Sequence, residues 1–315
     1  MPIHKFLIDI NQLENNSGVQ GSADYIEFGF YPTAGREHFT APPATTDLWI
    51  SWYQAFQAAQ HSGFDHFQIT NQDNVAIING GYPGGLSPIG FNVQGGARNT
   101  ENLGFGANNS GTGRYDIHID TIGGAVELYI DGNLVAQWTG TFTGVTSIGG
   151  VSWKTGGNVA SPYGCEIYWA FMADEDTRPI FITESYPTAN GAVQGWAGDE
   201  TMIDGYVIDD GNVIISNTAE QTSVFVTGDL PSAYAAGYSV MAFGVVARAR
   251  ALGVGGPRSL AVAARSGTTI GNGDTKALTT GFAPYQSLIT LDPNTGAAWT
   301  YASINAAQIG VTSKA

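Results

Sequence analysis

The sequence predicts an all-β protein built as two tandem β-sandwich domains. Three observations predict it. Turn signals such as Asn79-Gly80-Gly81, Gly95-Gly96, Gly123-Gly124, Asp131-Gly132, Gly149-Gly150 and Asn272-Gly273 punctuate the chain, at the spacing of short strands in sandwiches and barrels. Between them hydrophobicity alternates with period two, and long 3.6-residue periodicity is nearly absent. Composition agrees: 43 Gly and 13 Pro in 315 residues, 43% hydrophobic and 11% aromatic. That is too apolar for a disordered chain, and 12% charged residues are too few for long surface helices.

Taken in order, Leu48–Tyr53, His66–Thr70, Val75–Ile78 and Arg114–Asp120 read as strands. Ala125–Thr139 is the clearest hairpin. A three-residue loop at Asp131-Gly132-Asn133 would pair Ile130 with Leu134 and Leu128 with Ala136, putting the aliphatic residues on one face. Glu166–Ala173 is the next strand. Asp174-Glu175-Asp176, Pro179, Pro187 and Asn190-Gly191 then break the pattern. This sets a first domain over residues 1–183, a linker over 184–197 and a second domain over 198–315. Strands resume at Gly205–Ile208, Val213–Ser216, Ser223–Thr227, Tyr238–Arg250, Leu260–Arg265 and Ser287–Leu291. The run Ser239–Ala247 is apolar on both parities, the pattern of a central strand covered on both faces. Ala-rich Thr300–Gln308 reads as a short helix, with Gly310 as its stop. No internal repeat is evident.

The formal charge is -15. Nucleic acid and anionic membranes are therefore poor partners, because binding them needs Lys and Arg. No apolar run approaches the length of a membrane span. The first ten residues do not read as a signal peptide. A single cysteine, Cys165, allows no internal disulfide.

Candidate chemistry is sparse. Asp174 and Asp176 offer carboxylates to calcium, but the alternate spacing and bend glycine of a calcium loop are missing. The competing reading is a solvated turn with Arg178 pairing locally. His118 shares a strand face with Asp116 and Asp120, which suits a metal or acid–base site or, more simply, a solvent-facing polar stripe. His61 and His66 have no zinc spacing. There is no nucleophile elbow, phosphate loop or His-Glu-x-x-His. No pair of acids stands out as a glycosidase pair, so the sequence predicts no enzyme and no cofactor. Trp49 and Trp138 read as core residues. Tyr82, Trp153 and Lys154 lie in Gly-rich stretches and are the candidates for contact with glycans. Arg248, Arg250, Arg258 and Arg265 fall within eighteen positions. They are the candidates for a subunit interface, where Arg is enriched.

The segment Arg114–Trp138, with R-Y-D-I-H-I-D and A-V-E-L-Y-I-D-G-N-L-V-A-Q-W, resembles the central hairpin of laminin-G-like, or concanavalin A-like, jelly-roll domains. The likeness covers roughly residues 40–180. Glu166–Pro179, Tyr186–Gly191 and Gly195–Gly198 are similar to a layout seen in virion proteins of tailed bacteriophages, in which a jelly roll feeds into a second β domain. Ser239–Arg250, Leu291–Thr300 and Ile304–Val311 resemble that second module. The resemblance implies a virion structural component: a fibre, spike, decoration, or tail or neck accessory. It implies assembly with other virion proteins through the C-terminal domain, a homo-oligomer with a trimer most natural, and a displayed lectin-like domain that contacts host-surface glycans. The acidic rim pair by which laminin-G domains hold calcium does not map onto this chain, so metal stays unassigned. A secreted carbohydrate-binding or adhesion protein and a jelly-roll glycoside hydrolase are the alternatives.

Overall fold

In the computed structural model the chain divides into two units, residues 1–181 and 182–315. The structure describes residues 3–7, 37–56, 64–82, 89–97, 99, 113–153, 165–183, 185–203, 210–253 and 255–315. Their regular structure is almost entirely strand, in antiparallel sheets, as the sequence predicts.

The first unit holds β1 (Ile3–Leu7), β2 (Glu37–Thr40), β3 (Asp47–Phe56), β4 (Phe64–Asn71), β5 (Ala76–Tyr82), β6 (Gly90–Val93), β7 (Gly113–Asp120), β8 (Ala125–Ile130), β9 (Asn133–Thr139), β10 (Ile148–Trp153) and β11 (Cys165–Ala173). A six-stranded sheet runs β1-β11-β3-β7-β8-β9, and a five-stranded sheet runs β2-β10-β4-β5-β6. Strand alternation builds the core between them. The six-stranded sheet contributes Leu48, Ile50, Trp52, Tyr115, Ile117, Ile119, Val126, Leu128 and Ile130. The five-stranded sheet contributes Phe39, Phe67, Ile69, Ile78, Phe91, Val93, Val151 and Trp153. Burying each such side chain stabilises the fold by about 1.5–3 kcal/mol.

Trp52 is the centre of this core. It stacks on Tyr115 at 5.2 Å and meets Phe67 edge-on at 5.1 Å and Trp153 at 6.0 Å. Its indole N–H donates to Gln54 Oε1 at 2.8 Å, so the ring is buried without an orphan donor. Gly80 makes room for the neighbouring Phe67: a Cβ there would lie 2.0 Å from the ring.

The β8–β9 hairpin differs from the expected register in an instructive way. Its turn is two residues, Asp131 (φ 47°) and Gly132 (φ 78°), the type I′ geometry that matches strand twist. Ile130 thus pairs with Asn133 and Tyr129 with Leu134. A bulge then restores the expected Leu128–Ala136 pair. The extra residue lets both Val135 and Ala136 be buried.

The second unit holds β12 (Pro187–Gln194), β13 (Thr222–Thr227), β14 (Phe243–Ala249), β15 (Ser259–Ser266), β16 (Thr269–Asn272), β17 (Lys276–Ala277), β18 (Ala283–Ile289), α1 (Tyr301–Asn305) and β19 (Gln308–Lys314). One sheet runs β12-β13-β19-β15-β16, with β17 also on β15, and β14 pairs with β18 apart from it. Three expectations need correction. The segment 184–197 is no free linker, since β12 within it pairs with β13. Gly191 permits this, because a Cβ there would sit 2.5 Å from the Val224 carbonyl oxygen. The doubly covered central strand is β15, where Leu260–Ala264 are buried. β14 is instead half-buried in a two-stranded sheet. The helix is shorter than expected. Thr300 and Ser303 form a reciprocal capping box at its start. Gly310 lies inside β19, where a Cβ would be 1.9 Å from the Ser223 carbonyl oxygen. Of the remaining strands, Val213–Ser216 is reduced to a single bridge, Ile215–Ala197, and Gly205–Ile208 lies outside the described residues.

Among the described residues, no helix is long and apolar enough to cross a membrane.

Candidate functional site

Each sheet of the first unit has a second face, and the two faces differ. The outer face of the six-stranded sheet carries Trp49, Ser51 and Tyr53 from β3, Arg114, Asp116 and His118 from β7, Glu127 and Tyr129 from β8, and Trp169 and Phe171 from β11, by alternation. Trp49 therefore lies opposite the sandwich core. This face is no solvent-facing stripe. Asp116 is 0% exposed. Arg114 donates to it from Nε at 3.0 Å and Nη2 at 2.9 Å, and Thr177 Oγ1 donates to it at 2.6 Å. The same guanidinium donates to the carbonyl oxygens of Thr177 and Ile180. Residues 174–180 are thereby strapped across the face.

Arg178 closes the other end of the strap. Its guanidinium lies 4.1 Å over the Tyr129 ring and 5.3 Å from the Trp49 ring. It pairs with Asp176 at 2.6 Å, and its hydrogen bonds hold the Asp176 carboxyl below the usual range. His118 stacks on Trp49 at 4.7 Å. Its Nε2 is 2.9 Å from Asp47 and its Nδ1 3.5 Å from Glu127. Burial, followed by the hydrogen bond to Glu127, pushes the Tyr129 phenol up. Asp120 caps the next turn by accepting from the N–H groups of Ile122 and Gly123. These groups satisfy one another. Asp174 is exposed and Asp176 is committed to Arg178. Among the described residues, no three His, Cys, Asp or Glu side chains converge to hold a metal.

The outer face of the five-stranded sheet is different. Ser152 (β10), Gln68 (β4), Asn79 (β5) and Asn92 (β6) stand directly opposite one another in register. Phe67, Ile69, Ile78, Phe91, Val93, Val151 and Trp153 point the other way, into the core. The four polar residues therefore form one row across four strands. Gln68 Nε2 donates to Asn79 Oδ1 at 2.6 Å. Asn92 Oδ1 is buried and, among the described residues, accepts no hydrogen bond. Such an acceptor costs about 1–3 kcal/mol until a donor reaches it. Thr40 and Thr70 flank the row across Gly150. Amides and hydroxyls present donors and acceptors together, the complement of a polyhydroxylated ligand. The register continues to His38 of β2, opposite Ser152, so a histidine stands at the end of the row; Ser152 itself is buried.

The sequence candidates fall out as follows. Trp153 is 0% exposed and sits in the core, since its strand parity places it beside Val151. It cannot touch a ligand. The Tyr82 side chain and Lys154 lie outside the described residues. Arg248 pairs with Asp210 through Nε at 2.8 Å and Nη2 at 2.9 Å, and Arg248 and Arg250 both approach Phe282, at 5.6 and 4.7 Å. Arg258 is exposed before β15, and Arg265 on β15 donates to Gln308 at 3.3 Å. Of the four arginines, Arg248 thus lies on β14 and Arg265 on β15, with Arg250 and Arg258 in the segment between the two strands. Sequence reasoning missed Gln68, Asn79 and Asn92. Their signal was a lone amide between two core positions in F-Q-I, I-N-G and F-N-V.

No family model and no curated protein matches the chain. Solved structures show distant likeness. A CBM2 module of the evolved Dit of Lactobacillus casei BL23 phage J-1 is 16% identical over 53% of this chain and 93% of its own, with a TM-score of 0.35. The binding domain of botulinum neurotoxin serotype D/C is 10% identical over 96% of this chain and 91% of its own, at 0.36. The cellulose-induced protein Cip1 is 12% identical over 47% and 78%, at 0.35. Likenesses this weak carry no weight for ligand or role.

Proposed function

We propose that this protein is a non-catalytic structural component of a tailed-phage virion. Its first unit displays a saccharide-binding face, and its second assembles with other virion proteins. The observation that carries the binding reading is the row Ser152–Gln68–Asn79–Asn92, with its buried, unpartnered Asn92 Oδ1. A sugar hydroxyl donating there would relieve the desolvation cost of that oxygen. The four positions supply no pair of carboxylates of the kind that glycoside hydrolysis needs, which supports binding without turnover.

The virion reading is supported by the resemblance of Glu166–Pro179 and Leu291–Val311 to phage virion modules. Those segments are hydrogen-bonded into the fold here: the first is β11 with its strap, and the second carries the bonds of Asp292, Trp299 and the Thr300 cap. Arg248 and Arg250 beside Phe282 suit a subunit interface, and a trimer is the expected state. Calcium is not required by this reading.

A glycan array probed with the full chain tests the binding half. Binding that is lost in Asn79→Ala and Asn92→Ala supports it, and no binding to any glycan refutes it. Mass spectrometry of purified virions, with light scattering of the isolated protein, tests the assembly half. Absence of the protein from particles refutes that half.

A further inference from the structure

Two patches on this chain carry opposite charge, and both expose apolar side chains. The first lies at one end of the first unit. The Thr121 N–H donates to the Thr46 carbonyl, the Ile148 N–H donates to the Thr45 carbonyl, and Ile148 stands opposite Asn71. The loop 42–46 and the turns 72–75 and 121–124 therefore gather at that end. Val75 is 58% exposed there and Ile122 81%, flanked by Asp47, Asp73 and Asp120. β11 ends nearby, with Ala173 opposite Trp49, and exposed Asp174 and Glu175 follow it. The loop and the two turns contain no Lys or Arg.

The second patch lies at one end of the second unit. The Ala251 N–H donates to the Thr279 carbonyl, and the Leu278 N–H donates to the Arg258 carbonyl. Two consecutive residues thus tether both arms of the loop between β14 and β15, two inter-strand spacings or about 10 Å apart. Arg250 and Arg258 sit on those arms, and Lys276 on β17. All three are exposed and make no ion pair among the described residues, whereas Arg248 is neutralised by Asp210. Against them, the segment 250–282 holds one acid, Asp274. Arg250 lies 4.7 Å over the half-buried Phe282 ring, and Leu252 is 53% exposed. Arginine beside an aromatic ring and exposed aliphatic surface has the composition of a protein interface.

Neither patch can meet its own copy across a two-fold axis without opposing like charges, which is unfavourable. A contact between the two different patches is heterologous, and repeated around a ring it closes a trimer or another cyclic oligomer. Resting on the assembly reading above, we propose that the basic end of the second unit docks on the acidic end of the first unit of another copy, head to tail. The contact pairs Arg250, Arg258 and Lys276 with carboxylates of that end and covers Leu252, Val75 and Ile122.

Light scattering of the full chain across concentration and salt tests this. Self-association is expected at about 0.1 M salt and should weaken towards about 1 M, as the screening length shrinks from about 10 to 3 Å. Arg250→Glu with Arg258→Glu, and separately Asp73→Lys with Glu175→Lys, should each weaken it about tenfold or more, because like charges then face each other. Mixing the two double variants should restore assembly, since each keeps the patch that the other has lost. Circular dichroism verifies that both are folded, and a folding defect would not be rescued by mixing. A chain that stays monomeric throughout, or variants whose mixture does not assemble, overturns the proposal. Assembly indifferent to salt and to both charge reversals also overturns it, while leaving the assembly reading standing. Absence of the protein from virions refutes that reading separately.

Discussion

Replacing Arg114 by Met tests whether the strap over the six-stranded sheet is held by charge. In the folded protein the guanidinium donates to Asp116 and to the carbonyl oxygens of Thr177 and Ile180. Its removal leaves Asp116, which has no exposed surface, with the Thr177 hydroxyl as its remaining donor. A buried carboxylate stripped of its cation costs about 3–5 kcal/mol. The Ile180 carbonyl also loses this donor, for about 1 kcal/mol, while the Thr177 carbonyl keeps the Ile180 N–H. Met keeps some apolar contact with Trp169 and Phe171, beneath the original guanidinium. The expected loss is therefore about 4 kcal/mol or more, or roughly 8–16 °C in Tm for a unit of this size. Urea unfolding followed by tryptophan fluorescence reads it, since Trp49, Trp52, Trp138, Trp153 and Trp169 lie in the first unit. A second variant, Arg114→Met with Asp116→Leu, removes the orphan charge and should recover most of the loss, though not the strap's carbonyl bonds. A single variant within about 1 kcal/mol of wild type, or a double variant no more stable than the single, would refute the electrostatic account.

Three further outcomes are expected. Gly132→Ala should cost about 1 kcal/mol, because φ is 78° while nothing lies within 4 Å of the new Cβ; an unchanged urea midpoint would show that the turn is not held in that conformation. Trp153→Ala should lose about 3–5 kcal/mol as a core truncation, and a stability change below 1 kcal/mol would return Trp153 to the surface. Asp292 is nearly buried, which pushes its carboxyl up, but hydrogen bonds from the Asn294 N–H, Ser266 and Thr295 outweigh this and hold it below the usual range. A depressed folded pKa means that the carboxylate stabilises the fold above about pH 4, and that this contribution is lost as the pH falls through the folded value. Thermal melts at pH 7, 5 and 3 should thus show little change from 7 to 5 and a drop at 3, less steep in Asp292→Asn. An identical pH curve for the variant would remove Asp292 from that role.

Much of the fold was legible because period two is a direct consequence of strand geometry. Tyr115-Asp116-Ile117-His118-Ile119 states its own facing, and the structure follows it. What alternation could not tell was whether the second face meets water. Asp116 and His118 look like a solvent stripe in sequence, yet a strap more than fifty residues away covers them. Trp49 was misread for the same reason: a covered outer face and a core make the same demand for apolar side chains. Trp153 was misread because glycine density was taken as a sign of a surface loop. Gly149 and Gly150 in fact lie in β10, where a Cβ on Gly149 would strike the Asn71 carbonyl. The amide row was invisible because its members come from four strands and meet only through sheet register.

The two outer faces together constrain where a ligand can bind on the first unit. On the six-stranded sheet, Arg114, Arg178, Asp116, Asp176 and the aromatic rings are already paired with one another. A ligand there would have to displace a strap whose tethers include a buried ion pair, at a cost comparable to the loss expected for Arg114→Met. On the five-stranded sheet Gln68 and Asn79 are paired and Asn92 Oδ1 accepts no hydrogen bond among the described residues, but that oxygen and Ser152 are buried, so a ligand that reaches them has to displace what covers them. Binding free energy is what remains after such costs. The same strand alternation that builds the core therefore leaves one face closed by its own chain and one face with an acceptor to fill. On this physical ground the amide row, and not the more conspicuous cluster of aromatics, arginines and histidine, is the face we propose for binding.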